Sequence, residues 1–148
     1  MATPTEIVRR LPADRFVTVL SASPRAFRED LFRKANVKVK GNAFSLASSS
    51  KNHVRAEKLH ETIVGGLDVG DTLLEELLRN YLYTQRPLLA AALDELGVKH
   101  DQGLTDEDLE FVTKLEAERA TKLRSKLLAQ FDPTDVHLYL DFMNVPSS

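Results

Sequence analysis

The stretch DTLLEELLRNYLYTQRPLLAAALDELG, residues 71–97, decides the fold class of this chain. Its first half places apolar residues at helical spacing on one wide face: Leu73, Leu74, Leu77, Leu78, Tyr81 and Leu82. A stripe of this width is typical of a helix that packs on two neighbours. Asp71 is the predicted N-cap, Pro87 is expected to break or kink the helix, and Gly97 is the predicted left-handed C-cap. The stretch therefore predicts helices packed on helices.

Helix starts that contain proline recur before this stretch, because proline suits the first turn of a helix. Three such starts are Thr3-Pro4, Pro12 and Ser23-Pro24. The helix after the third start is predicted to run to about Ala35. A further helix is predicted over residues 51–64, with Ser50 as its cap and Gly65-Gly66 as its end. The N-terminal half thus reads as a series of short helices.

The longest predicted helix covers residues 105–131 and opens at Thr105, with Asp108 in the position of a capping-box partner. Its apolar stripe is interrupted by Glu116, and a buried carboxylate without a partner is costly. Either Arg79 or Arg86 meets this carboxylate, or the helix leaves the core at that point. The second interpretation is favoured because residues 116–122 are almost entirely polar or alanine.

Two stretches alternate apolar and polar residues as strands do. Residues 37–50 alternate around Gly41-Asn42, and here an irregular loop is favoured over a short hairpin because an isolated ribbon is marginal in water. Residues 136–144 also alternate, and a helix is favoured because a lone strand would lack a partner. We therefore expect an all-α fold, a compact bundle of about six or seven helices forming a single domain over residues 1–148.

The apolar residues at helical spacing define a predicted core. They are Phe16, Leu20, Phe27, Leu31, Leu59, Ile63, Leu74, Leu77, Leu78, Tyr81, Leu89, Leu93, Leu96, Val112, Leu123 and Leu127. A chain of 148 residues can bury enough of this surface to fold without disulfides or metals.

Charge is distributed unevenly along a chain whose formal net charge is −2. Residues 25–58 contain nine basic and three acidic side chains, whereas residues 59–148 contain eight basic and seventeen acidic ones. Five basic residues form a candidate anion site: Lys38, Lys40, Lys51, Arg55 and Lys58. They predict a phosphate or nucleic-acid contact, with a solvated face as the simpler interpretation. Few aromatic residues accompany them, so we treat nucleic-acid binding as the alternative function.

Several classes of chemistry are excluded by composition. The chain contains no cysteine, which rules out disulfides, thiolate catalysis, cysteine-ligated zinc and iron–sulfur clusters. Its longest apolar run, residues 88–93, is far shorter than the roughly 20 residues of a membrane span. The first residues lack the apolar core of a signal peptide. We accordingly expect a cytoplasmic protein that makes no membrane contact and carries no cofactor.

Two pairs of residues have spacings found in catalytic or metal sites. Glu57 and His60 have the spacing of a di-iron ligand pair, but such a site requires a second pair, so no metal is expected. His100 and Asp101 could orient a general base, although no serine lies in a nucleophile elbow. An enzyme with an acid–base site assembled from distant residues is therefore the third hypothesis.

The leading hypothesis concerns the polar face opposite the leucine stripe. Arg79, Tyr83 and Arg86 lie there at i, i+4 and i+7, and Tyr and Arg are the residues enriched in interface hot spots. Internal packing beneath the long helix is the alternative. Together with Glu116, these residues predict an interface for a protein partner or a second copy of the chain. We expect a non-enzymatic helical interaction module, either an adaptor or a homodimer.

Overall fold

The computed structural model of the chain describes residues 2–35 and 48–146, and for residues 48–52 it describes the backbone alone. The described residues form helices and no β-strand, which confirms the predicted all-α class. They contain eight α-helices rather than six or seven: α1 (Pro4–Arg10), α2 (Ala13–Ser21), α3 (Arg25–Lys34), α4 (Ser48–Val64), α5 (Asp71–Leu82), α6 (Arg86–Leu96), α7 (Ala117–Leu128) and α8 (Pro133–Phe142). A short 3-10 helix, Glu110–Lys114, precedes α7.

The chain divides into two compact units, and the prediction of a single domain stays a prediction. The N-terminal unit is Pro4–Tyr81, in which α4 packs against α1 and α2. Its helix starts agree with the sequence signals, since α1 begins at Pro4 and the N-caps of α2 and α3 are Pro12 and Pro24. The predicted cap at Ser50 is wrong, because α4 already begins at Ser48.

Side chains join the ends of the N-terminal helices. The prediction that Asp71 caps its own helix is wrong, because Asp71 is the first residue of α5 and its carboxylate accepts hydrogen bonds from Thr5 N, at 3.2 Å, and from Thr5 Oγ1. Arg9 Nε donates at 2.9 Å to the Ile63 carbonyl in the last turn of α4, which also accepts the Gly66 N–H at 3.1 Å. These bonds fix α1 against the end of α4 and the start of α5.

The C-terminal unit comprises Leu82–Ser148 together with Met1–Thr3, and α7 packs against both α6 and α8. A break near Pro87 is confirmed, but it comes earlier than predicted, because α5 ends at Leu82 and α6 begins at Arg86 with Pro87 in its first turn. Gly97 is the C-cap of α6 and has the left-handed conformation, with φ +74°. The predicted left-handed C-cap is therefore confirmed.

The predicted long helix over residues 105–131 is wrong. Thr105 Oγ1 accepts the Glu107 N–H at 3.0 Å, and Asp108 Oδ1 accepts the Glu110 N–H at 2.9 Å. Such local side-chain bonds offer the backbone an alternative to the helix. The chain instead forms the short 3-10 helix and starts α7 only after Glu116, which is the N-cap.

The helix preferred for residues 136–144 is confirmed by α8, Pro133–Phe142. The Asp132 carboxylate caps it by accepting the N–H groups of Thr134, at 2.9 Å, and Asp135, at 3.4 Å. The choice between loop and hairpin for residues 37–50 lies outside the described residues, except that residues 48–50 belong to α4.

Every residue of the predicted core is buried except Phe27, which is half-buried. Phe32 is buried as well, and α8 adds buried residues that the sequence pattern missed: Val136, Leu138, Tyr139 and Leu140. None of the helices in the described part combines the length and apolarity that a membrane span requires.

Candidate functional site

Tyr83 lies in the three-residue link between α5 and α6, and 48% of it is exposed. Arg86, the first residue of α6, donates from Nε to the Tyr83 carbonyl at 2.7 Å and from Nη1 to the Gln102 carbonyl at 3.5 Å. Two residues after Gln102, Leu104 is 40% exposed. We call the four residues Tyr83, Arg86, Gln102 and Leu104 the Tyr83 surface.

The turn at Gln102-Gly103 contributes two of the four residues of the Tyr83 surface, Gln102 and Leu104. Asp101 and Leu104 exchange two backbone hydrogen bonds, at 2.8 and 3.0 Å. Both central residues have positive φ, +51° at Gln102 and +86° at Gly103, as the tight two-residue hairpin turn requires. The turn thus presents Gln102 and Leu104 from a defined backbone conformation.

The Gly103 backbone packs directly against α6. A Cβ atom at Gly103 would lie 2.7 Å from Leu89 Cβ and 3.0 Å from both the Arg86 carbonyl oxygen and the Ala90 nitrogen. Real Cβ atoms do not approach so closely, so only glycine permits this contact. The position of the turn relative to Arg86 is therefore fixed by backbone packing.

His100 anchors the same turn from the side. Its Nδ1 accepts the Gly103 N–H at 3.0 Å, and its Nε2 lies 2.7 Å from Asp94 Oδ1. Because Nδ1 accepts a hydrogen bond, the ring proton is on Nε2, which donates to the Asp94 carboxylate. His100 thus joins the last turn of α6 to the hairpin turn.

The residues of the predicted interface do not lie on one helix. Arg79 belongs to α5 and pairs with Glu75 at 2.7 Å, whereas Tyr83 and Arg86 lie beyond the end of that helix. The predicted i, i+4, i+7 face is therefore wrong, because it requires one continuous helix. Glu116 is exposed at the N-cap of α7, so it does not interrupt a buried stripe.

The predicted anion site is described only in part. Lys38 and Lys40 lie outside the described residues, and Lys51 is described by its backbone in α4 alone. Lys58 is exposed on α4. Arg55 makes two 2.9 Å hydrogen bonds to the carboxylate oxygens of Glu29, and its guanidinium carbon lies 4.1 Å from the centre of the Phe32 ring. Arg55 thus joins α4 to α3.

The candidate acid–base pairs have other partners. Glu57 lies 2.8 Å from His53, while His60 is buried, with Nε2 3.2 Å from the Val8 carbonyl and its ring beside Phe16. Glu57 and His60 therefore do not present a shared site. His100 contacts Asp94 rather than Asp101. No group of three or more potential metal-binding side chains occurs within residues 2–35 and 53–146.

The chain matches no family model, no curated protein and no solved structure. The residues that sequence reasoning missed are Gln102 and Leu104. The signal that could have identified them is Gly103, a second glycine six residues after the predicted C-cap Gly97. That signal predicts a turn but not its contact with Arg86, which joins residues sixteen positions apart.

Proposed function

We propose that this chain is a helical protein–protein interaction module that binds through the Tyr83 surface. The observation that supports the proposal is the exposed residue Tyr83, whose backbone carbonyl, together with that of Gln102, holds the Arg86 guanidinium. Tyrosine and arginine are the residues most enriched in interface hot spots. Leu104 adds an exposed apolar side chain to the same surface.

The hydrogen bonds and packing contacts that hold the Tyr83 surface in one conformation favour binding. Arg86 is fixed by the Tyr83 and Gln102 carbonyls, and the turn that carries Gln102 is held by His100 and by packing on α6. Less conformational entropy is lost on association when the contacting groups are already ordered. A preorganised surface of this kind can therefore bind with a small contact area.

A second copy of the chain is the partner that we propose. A two-fold symmetric dimer requires a self-complementary patch. If one residue of the patch contacts a second residue on the other copy, that second residue makes the same contact in return. Tyr83 and Arg86 satisfy this requirement, because an aromatic face attracts a guanidinium stacked on it. Since the edges of the Arg86 guanidinium bind carbonyl oxygens, its planar face is the part that would meet the partner's Tyr83 ring.

Sedimentation velocity over a range of protein concentrations tests the proposal. We expect the wild type to form dimers and the Tyr83→Ala variant to dissociate with a Kd at least about tenfold higher, the effect of losing one hot-spot residue. Val64→Ala is the matched control, because Val64 is another exposed apolar residue, 50% exposed, in the N-terminal unit. A wild type that stays monomeric, or equal dissociation of wild type and Tyr83→Ala, would contradict it.

A further inference from the structure

Three arginines surround one carboxylate in the N-terminal unit. Arg25 lies three and four positions before Arg28 and Glu29 on α3, so its side chain neighbours both of theirs on the helix surface. Arg55 reaches the same carboxylate from α4 through two hydrogen bonds of 2.9 Å. The cluster therefore contains three positive charges and one negative charge.

Arg55 is held in place within this cluster. Its planar face lies over the Phe32 ring at 4.1 Å, and two of its N–H groups are directed to Glu29. A guanidinium has five N–H donors, so further donors remain beside those that Glu29 uses. The stacked and bridged arrangement keeps these donors in a fixed geometry, which is the property that favours arginine in phosphate recognition.

The other two arginines add charge that nearby acids do not neutralise. Asp30, the next acid on α3, is paired with Arg33 at 3.1 Å. Hydrogen bonding to Arg55 lowers the pKa of Glu29, and the positive charges of Arg55, Arg25 and Arg28 lower it further. The Nε atom of Arg28 is buried and has no hydrogen-bond partner among the described residues. A buried donor of this kind is costly unless an acceptor is supplied.

We propose that Arg25, Arg28 and Arg55 form a binding site for a phosphate-bearing anion. The excess of two positive charges matches the charge of a phosphate group, and its oxygens would accept from the unused guanidinium donors. In this site Glu29 is a positioning residue, because its two hydrogen bonds align Arg55. Its negative charge also competes with the incoming anion for the three arginines. The proposal is independent of the Tyr83 surface, which belongs to the C-terminal unit.

Two probes test the proposal on the full chain at about 50 mM salt, where charge contacts are strong. Pyrophosphate binding is measured by isothermal titration calorimetry, and binding of a fluorescein-labelled single-stranded DNA by fluorescence anisotropy. We expect Arg28→Gln to raise the Kd about tenfold, as for the loss of a charged hydrogen bond. Arg33→Gln is the matched control, with the same charge change on the same helix but a guanidinium already paired with Asp30. We expect it to change the Kd less than about twofold.

The two probes distinguish a site for free phosphates or nucleotides from a site for a nucleic-acid backbone. Pyrophosphate binding that Arg28→Gln weakens and Arg33→Gln spares supports a site for free phosphates or nucleotides. DNA binding alone with the same pattern supports a site for a nucleic-acid backbone. Equal losses in the two variants, or no binding of either probe, would overturn the proposal. As a second variant, Glu29→Gln should bind more tightly, because the competing charge is removed while the amide oxygen can still accept a hydrogen bond from Arg55. Circular dichroism checks that each variant folds.

Discussion

The Gly103 N–H donates a hydrogen bond to His100 Nδ1 at 3.0 Å, which ties the hairpin turn to the residue that precedes it. The same ring donates from Nε2 to Asp94. A single side chain thus connects a helix to the turn that carries half of the Tyr83 surface. The stability of this turn and the integrity of the surface should therefore change together.

Replacing His100 with alanine should destabilise the chain by about 1–3 kcal/mol, because the Gly103 N–H loses its acceptor and Asp94 its donor. The free energy of unfolding is measured by urea titration with circular dichroism. His137→Ala is the control, because His137 is exposed on α8, and it should change the stability by less than about 0.5 kcal/mol. Equal effects of the two substitutions would show that the His100 bonds contribute nothing measurable.

Gly103→Ala should cost more than Gly97→Ala. Both glycines have positive φ, +86° and +74°, so both substitutions strain the backbone by about 1–2 kcal/mol. At Gly97 a Cβ atom meets nothing within 4 Å, whereas at Gly103 it would lie 2.7 Å from Leu89 Cβ. The clash should add a further 1–3 kcal/mol, roughly. Thermal and urea unfolding of the two variants measure the difference, and equal losses would refute the close packing of the turn on α6.

Glu29 should stabilise the fold in a pH-dependent way. Because its pKa in the folded chain is lowered, chiefly by the hydrogen bonds from Arg55, the carboxylate contributes stability above its ordinary pKa of 4.5. That contribution is lost as the pH falls through the lower pKa of the folded state. Wild type should thus exceed Glu29→Gln in stability at pH 7, by less than about 1 kcal/mol since the pair is partly exposed. The difference should disappear in acid, and a difference that persists at pH 2 would contradict this account.

Tyr139 should limit stability in alkali. Burial raises the pKa of Tyr139 to about 12, whereas an unfolded tyrosine ionises near 10. The unfolded chain therefore loses this proton first, and stability falls as the pH rises from about 10 to 12, by roughly 2–3 kcal/mol. Tyr139→Phe removes the ionising group and should flatten this fall relative to wild type. Parallel pH dependence of the two proteins in urea unfolding would show that the phenol is hydrated in the folded state.

The helix boundaries set by local chemistry could be predicted from the sequence. Pro12 and Pro24 precede helices, and Gly97 ends one, because each residue acts through its own backbone preference. The helix over residues 105–131 could not be predicted correctly, because its apolar spacing continued through a region where Thr105 and Asp108 bind their own backbone. Periodicity does not report that competition.

Of the four residues of the Tyr83 surface, the sequence predicted Tyr83 and Arg86 but not Gln102 and Leu104. Tyr83 is exposed as predicted, but the helix predicted to carry it ends at Leu82. Gln102 and Leu104 join Arg86 through a tertiary contact that no local pattern encodes. Contacts between distant segments are therefore what the sequence left open.

The most direct test of the central claim is hydrogen–deuterium exchange of the wild-type chain at low and high protein concentration. Self-association through the Tyr83 surface predicts that slower exchange at high concentration is confined to peptides covering residues 83–86 and 102–104. Unchanged exchange in those peptides, or protection confined to other segments, would contradict the claim.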